Sequence, residues 1–178
     1  MIMAKTQWAL DPAHSEIQFK IKHMMISTIT GEFTKFDASL EAEDHDFTQS
    51  KATFTADVDS INTKNEQRDG HLKSPDFFDA PGNPQITFES EKLEKKDGEH
   101  YQLSGNLTIK GVSKPIVLEA VHSGVITDPY GNQRTGFEVS GKINRKDFGL
   151  TWHQLTEAGG LVVGDEVRLS ANVEFVKQ

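Results

Sequence analysis

The stretch RDGHLKSPDFFDAPGNPQITF, Arg68 to Phe88, is the one place where the chain leaves an otherwise alternating pattern of apolar and polar residues. It gathers charge, two adjacent phenylalanines and three prolines. Just upstream, Thr63-Lys64-Asn65-Glu66 fits a capping box, in which the threonine hydroxyl and the glutamate each satisfy an amide of a nascent helix. A short helix is therefore predicted to start there. Within it Arg68 and His71 share a face, and Asp69 and Lys73, four apart, are placed to pair at the surface. Ser74-Pro75 offers a second cap, with proline at a first helical position. That arrangement would aim Phe77 and Phe78 before Ala80-Pro81-Gly82-Asn83 turns the chain. Pro84 can stand at the mouth of a strand, where a missing amide is tolerated.

Outward from this insert the texture is that of half-buried strands. Ser15 to His23 places Ile17, Phe19, Ile21 and His23 on one face. Glu32 to Ala42 places Phe36, Ala38, Leu40 and Ala42 in phase, and the out-of-phase Phe33 predicts a bulge or bend. Lys51 to Asp59 turns Ala52, Phe54, Ala56 and Val58 inward. After the insert, Gln85 to Ser90 carries Ile86 and Phe88 in phase, and Asp97-Gly98 predicts a hairpin into His100 to Ile109, with Leu103 and Leu107. Ile116 to Ser123, holding Leu118, Ala120 and His122, is followed by the turn Asp128 to Asn132. Thr135 to Asn144 aligns Phe137, Val139 and Ile143, and Glu166 to Val176 aligns Val167, Leu169, Ala171, Val173 and Phe175. The fold class is all-β, with eight main strands and the helical insert between strands 3 and 4, as a sandwich or a closed antiparallel barrel.

The 178 residues are predicted to form a single domain, 1–178, with enough apolar content to fold without metals or staples. A net charge of −8 and no cluster of Lys or Arg argue against a nucleic-acid partner. No cysteine is present, which excludes disulfides and thiol chemistry. MIMAKTQWALDPAHS lacks the apolar core of a signal peptide, and no run reaches the ~18 apolar residues of a membrane span. A soluble, cytoplasmic protein without stable membrane insertion is expected, the alternative being an exported mature form whose Met1 was added.

An eight-stranded barrel either fills its interior or holds one small ligand. The inward set mixes phenylalanines with Ala38, Ala52, Ala56, Gly105, Ala120, Gly141 and Ala171. So many small positions suit an apolar cavity, and they equally suit a core tapered where the sheet coils.

The chain resembles the YceI-like family of lipocalin-like polyisoprenoid-binding proteins. The insert from Arg68 to Asp79, followed by Pro84 and Phe88, is similar to the family signature. WALDPAHS (Trp8 to Ser15), GNLTIKGVSKP (Gly105 to Pro115), GKINRKDFGLTW (Gly141 to Trp152) and VGDEVRL (Val163 to Leu169) resemble further family segments in the same order. The resemblance implies an extended lipocalin-like β-barrel, commonly a homodimer, whose tunnel takes up a long isoprenoid, fatty or quinone-like lipid for binding, transport or storage. It implies no settled enzymatic activity and no other cofactor. Such a ligand suits the sequence, because each buried carbon of an isoprene unit contributes roughly 0.8 kcal/mol before ordering costs.

The expected tunnel lining is Phe19, Ile21, His23, Phe36, Phe54, Ala56, Ile86, Phe88, Leu103, Leu107, Leu118, His122, Phe137, Val139, Leu169 and Val173, gated by Phe77 and Phe78. His23 and His122 would either meet a ligand head group or be satisfied core residues. Arg68, Asp69 and His71 would either hold a polar head group or pin the insert to the barrel rim. Asn144-Arg145-Lys146-Asp147 reads as a turn with solvated charges, or as part of a lid in which Phe148 and Trp152 cover one tunnel end. Glu157 to Gly164 (EAGGLVVG) reads as a glycine-rich flap. The seven histidines show no metal-ligand spacing, so no metal is predicted. There is no Gly-x-Ser-x-Gly elbow and no catalytic triad to nominate from spacing. The alternatives to lipid binding are an enzyme acting on a lipid-like substrate through Arg68, Asp69 and His71, and a ligand-free stress-response protein with a filled barrel.

Overall fold

Strands that bury alternate side chains need partners on both edges and a covered face. The chain meets both demands by closing its sheet on itself. The computed structural model describes residues 5–43, 46–153 and 163–178. In chain order they form β1 (Lys5–Leu10), β2 (Glu16–His23), β3 (Ser27–Phe33), β4 (Phe36–Glu43), β5 (Asp46–Asp57), β6 (Ile61–Asn62), α1 (Glu66–Lys73), β7 (Gln85–Asp97), β8 (His100–Ile109), β9 (Val112–Thr127), β10 (Gln133–Asn144) and β11 (Val163–Lys177). Around the wall the order is β1, β4, β5, β7, β8, β9, β10, β11. β11 then pairs back onto β1, Trp8 opposite Lys177 and Leu10 opposite Phe175, which closes an eight-stranded antiparallel barrel.

β2, β3 and β6 extend this wall from β11. β1 and β2 lie end to end along β11, since Leu10 faces Phe175 and Glu16 faces Asn172. A 3-10 turn at Pro12–His14 separates them, with Asp11 Oδ1 accepting the Ala13 amide at 3.1 Å.

The expected place of the helix needs correction: α1 follows β5 and β6 rather than standing between the third and fourth strands. Three things cause the difference. β1 precedes the first strand expected from the sequence, the stretch around Phe33 expected as one strand is two strands parted at Thr34 and Lys35, and β6 is a further short strand beyond a 3-10 turn at Val58–Ser60. Phe33 ends β3 at a bend through Thr34 and Lys35, so of the two expected irregularities the bend is present and the bulge is not.

The helix start also differs from the predicted capping box. Asn65 is the N-cap, its Oδ1 accepting the Arg68 amide at 3.0 Å. Thr63 instead donates its amide and hydroxyl to Asp69 Oδ1, at 2.9 and 2.6 Å, so Asp69 is taken from the expected pair with Lys73. Ser74 ends the helix rather than starting another, its amide donating to the His71 carbonyl at 3.1 Å. By contrast Asp97-Gly98 does turn β7 into β8, with Gly98 at φ +55.

The two barrel ends are filled differently. One end holds the chain reversals at Met24–Ile26 and Lys110–Gly111 together with the insert after Asn62. The other is plugged by Trp8, Phe47 and Phe137, whose rings stand 5.7 and 5.5 Å apart in sequence of contact, with Trp8 only 1% exposed. Beside the plug Arg134 of β10 fastens the seam. Its Nη1 donates to Asp11 at 2.8 Å and Glu174 at 2.9 Å, and its Nε donates to Asp128 at 2.8 Å.

These contacts set a pH dependence. Hydrogen bonds from His14 and then Arg134 hold the Asp11 carboxyl below the usual range, and Arg134 does the same to Asp128. A lowered carboxylate pKa stabilises the fold fully above about 3.9 and loses that contribution as pH falls through the folded value. His14 is raised, chiefly by its hydrogen bond to Asp11, so its contribution has the opposite sign and is lost as pH rises through its folded value. Arg134→Ala should lower the urea midpoint near neutral pH and shrink the further fall that wild type shows below pH about 3.9; equal acid slopes in both proteins would contradict this.

Gly105 lies where the Glu89 carbonyl and the Phe88 ring press onto β8, a Cβ there standing closest to the Glu89 carbonyl oxygen and 2.6 Å from Phe88 Cζ. Gly105→Ala should cost about 3 kcal/mol or more in denaturant unfolding, because the β7 backbone at Glu89 as well as the Phe88 ring has to shift.

Candidate functional site

Between the aromatic plug and the insert the barrel encloses a cavity of about 240 Å³ with an almost wholly apolar wall. That exceeds the ~150 Å³ of a dry apolar cavity able to take up benzene. Alternation builds the wall, because every second side chain of each strand points to the axis. β2 contributes Phe19, β5 Phe54 and Ala56, β7 Ile86 and Phe88, and β8 Leu103 and Leu107. β9 adds Leu118, β10 Phe137 and Val139, β11 Leu169 and Val173, and the insert Phe78. All of these are among the lining residues the sequence predicts.

Seven other expected lining residues are off the wall. Ile21 and His23 sit too far along β2, opposite Ile29 and Ser27 near the hairpin end. Phe36, at the start of β4, packs on Phe54 with centroids 6.4 Å apart. Phe148 is 1% exposed but buried in the core beside the cavity, on the 3-10 turn Arg145–Phe148. Phe77 and Trp152 pack at a tilt with centroids 5.3 Å apart and each meets His71 edge-on, at 5.0 and 4.8 Å, so they join the insert to the segment after β10. His122 belongs to the plug. It stacks on Phe137 at 4.6 Å, its Nε2 donates to Thr135 Oγ1 at 2.7 Å, and that hydroxyl donates onward to the Gly124 carbonyl at 2.9 Å. Burial pushes its pKa down, favouring the neutral ring.

The wall also includes Phe33, Ile143, Leu150 and Val167. Ile143 and Val167 were in phase with named neighbours and so were findable. Phe33 and Leu150 were not, since one ends a strand out of phase and the other lies in a turn. The inference from small inward residues was partly misplaced, because Phe88 leans over Gly105 and Leu118 over Gly141, filling that space.

The polar residues of the insert face each other. Arg68 Nε donates to Thr63 Oγ1 at 2.8 Å and its Nη2 to the Thr63 carbonyl at 2.7 Å, while Asp69 holds the same threonine from the other side. His71 Nε2 lies 2.9 Å from Asp76 Oδ2.

The sequence places Arg145 in a turn with solvated charges or in a lid, and its burial corrects the solvated alternative. It is 2% exposed, with Nε donating to Gly164 O at 2.8 Å and Nη1 donating to Leu150 O and Trp152 O, each at 2.6 Å. One guanidinium thus ties the turn after β10 to the start of β11, with Asp165 at 3.6 Å as its counter-charge. Nothing in a charged tetrapeptide distinguishes a buried fork from a solvated one. The flap read at 157–164 falls, but for Val163 and Gly164, outside the described residues.

Asp11, His14 and Glu174 bring three donor atoms within 4.8 Å of one another, a spacing a metal could use. The Arg134 guanidinium already stands on Asp11 and Glu174, which makes the group an ion-pair cluster.

A family model for the YceI-like domain matches residues 8–175. The chain belongs to the YceI-like family. A UPF0312 protein of Staphylococcus aureus strain N315 is 41% identical over 171 residues, covering 96% of this chain and 97% of the relative. A counterpart from Staphylococcus epidermidis is 42% identical over the same length. Among solved structures, the YCEI protein of Campylobacter jejuni is 37% identical with a TM-score of 0.75, over 88% of this chain and 90% of that one. Burkholderia cenocepacia BcnA is 25% identical with a TM-score of 0.79, over 93% and 98%. A polyisoprenoid binding domain from Saccharophagus degradans, implicated in plant cell wall breakdown, shares the fold at 16% identity and a TM-score of 0.73, over 96% and 98%.

In this YceI-like barrel Arg145→Ala should cost about 3 kcal/mol or more in urea unfolding, because buried carbonyls lose their donor. Arg145→Lys should recover little of it, since an ammonium lacks the planar fork. Full recovery by lysine would mean that charge, not geometry, matters there.

Proposed function

We propose that this YceI-like protein binds a long-chain isoprenoid or similar amphiphilic lipid in its barrel, for transport or storage. The observation that carries the reading is the cavity of about 240 Å³ inside the barrel, walled almost wholly by apolar side chains. The polyisoprenoid-binding description of the Saccharophagus degradans domain, which has the same fold, supports it. An apolar wall recognises a chain by its shape and length, and a polar rim sorts head groups. The chain would enter at the insert end, where Phe78 and Leu150 complete the wall, because the other end is stoppered by Trp8, Phe47 and Phe137. Quinone-like and fatty chains satisfy the same chemistry.

Binding rather than turnover is the reading we favour. Arg68 and Asp69 are both engaged with Thr63, which suits pinning the insert better than holding a head group. His71 remains half-exposed beside Asp76, at the outer side of the insert.

Mass spectrometry of organic extracts from gently purified protein should find a co-purifying long-chain lipid. Repeated failure to find one, together with failure to take up added prenol or quinone, would remove the proposal. Ala38→Phe should reduce uptake at least about tenfold at a folding cost of about 1–3 kcal/mol, because it adds a ring to the cavity wall.

A further inference from the structure

The hairpin between β2 and β3 ends in His23-Met24-Met25-Ile26, closed by the Ile26 amide donating to the His23 carbonyl at 3.2 Å. Both central residues have positive φ, 50° at Met24 and 59° at Met25. The connection has three residues, since His23 pairs with Ser27, and a turn whose two central residues both have positive φ favours Asn-Gly, because a side chain there is strained. Two methionines are therefore poor turn formers here. They are also poor surface residues, with Met24 40%, Met25 66% and Ile26 80% exposed. Turn geometry and solubility both argue for polar residues, and the sequence supplies three consecutive apolar ones.

The outer face behind this tip is basic in a protein of net charge −8. Lys142 of β10 faces Arg168 of β11, and Arg168 faces Lys20 of β2, so three cations stand in one cross-strand row. Like charges directly opposite each other destabilise a sheet. Lys22, one step nearer the tip on the same face, donates to Thr28 at 3.1 Å. Glu166 is the carboxylate set among them, 3.4 Å from Arg168 and 4.0 Å from Lys142, and Glu32 stands across from Gln18 further from the tip. Glu119, across from Ser140, also lies one row further from the tip, so Glu166 is the one carboxylate named here that stands against the cations beside the exposed apolar point, and the strip there is net positive.

We propose that the Met24–Ile26 tip and the Lys20, Lys142 and Arg168 row form a docking surface for a bilayer carrying anionic lipids. Apolar side chains enter the headgroup boundary while cations meet the surface charge, the combination that holds peripheral proteins on such membranes. A second copy of the chain is a poorer occupant, since a two-fold contact would set the cationic row against itself. The tip stands at the insert end of the barrel. Val167 lines the cavity opposite Ile21, and the tip begins three residues beyond, about 10 Å at ~3.3 Å per residue. This docking role deepens the lipid-binding reading and rests on it for its purpose: a water-insoluble chain has to be taken from, or returned to, a membrane.

Cosedimentation with vesicles of phosphatidylcholine, with and without phosphatidylglycerol, tests it. The protein should bind the anionic vesicles more tightly and lose that preference as salt rises. Met24→Asn with Met25→Gly relieves the turn, so it should fold at least as stably as wild type yet bind the vesicles at least about tenfold less. Lys20→Glu with Arg168→Glu should weaken binding and flatten its salt dependence. Wild-type protein that ignores anionic vesicles, an Asn-Gly variant that binds them as well as wild type, or tip variants that alter only the oligomeric state by light scattering would each overturn the proposal. Uptake of prenol presented in detergent should be unchanged in the Asn-Gly variant. Loss of vesicle binding with intact uptake in wild type would count against docking alone, and vesicle binding without any uptake would count against the cargo reading alone.

Discussion

Pairing of β1 with β11 is the constraint on which the rest depends. Until Trp8 to Leu10 lie along Phe175 to Lys177, the sheet has two open edges and its inward phenylalanines and leucines face water. Closure turns the same residues into an interior whose size follows from strand number rather than from any one side chain. Arg134 stands beside that seam, joining Asp128 in the β9–β10 turn to Asp11 after β1 and Glu174 in β11. Charge there acts on closure of the sheet and not on the cavity.

The two ends then take on different work. Trp8, Phe47, His122 and Phe137 fill one end by ring-on-ring contact, with His122 spending its donor on Thr135. At the other end the cover is assembled from two separate segments, the insert and the turn after β10, and each is held by an arginine rather than by packing alone. Arg68 fixes the insert to Thr63, and Arg145 fixes the turn to the first residues of β11. His71, Phe77 and Trp152 join the two segments by edge contacts. A cover made of discrete, polar-anchored pieces is better suited to opening than a close-packed plug is.

Much of the wall was legible because period-two alternation is a local property. Phe54, Phe88, Leu107 and Leu169 could be assigned from their neighbours alone. What failed was whatever depends on distant partners. β1 is six residues long and earns its place through β4 and β11, which no local pattern reveals. Ile21 and His23 keep the correct phase but lie beyond the wall, because alternation gives the face of a strand and not the depth along the axis. Arg145 is indistinguishable in sequence from its neighbours Lys146 and Asp147; only the fold places backbone carbonyls around it. The capping box failed for a local reason, since Asn65 caps better placed than Thr63 once Thr63 is drawn to Asp69.

The central claim is that the closed apolar interior is a ligand site entered from the insert end. A crystal structure of the protein grown with a long-chain prenol tests it most directly. The account predicts an elongated molecule along the barrel axis, its tail against Phe137 and its head near Phe78 and Leu150. A barrel whose interior stays filled by its own side chains, with the prenol confined to the outer surface, would contradict it.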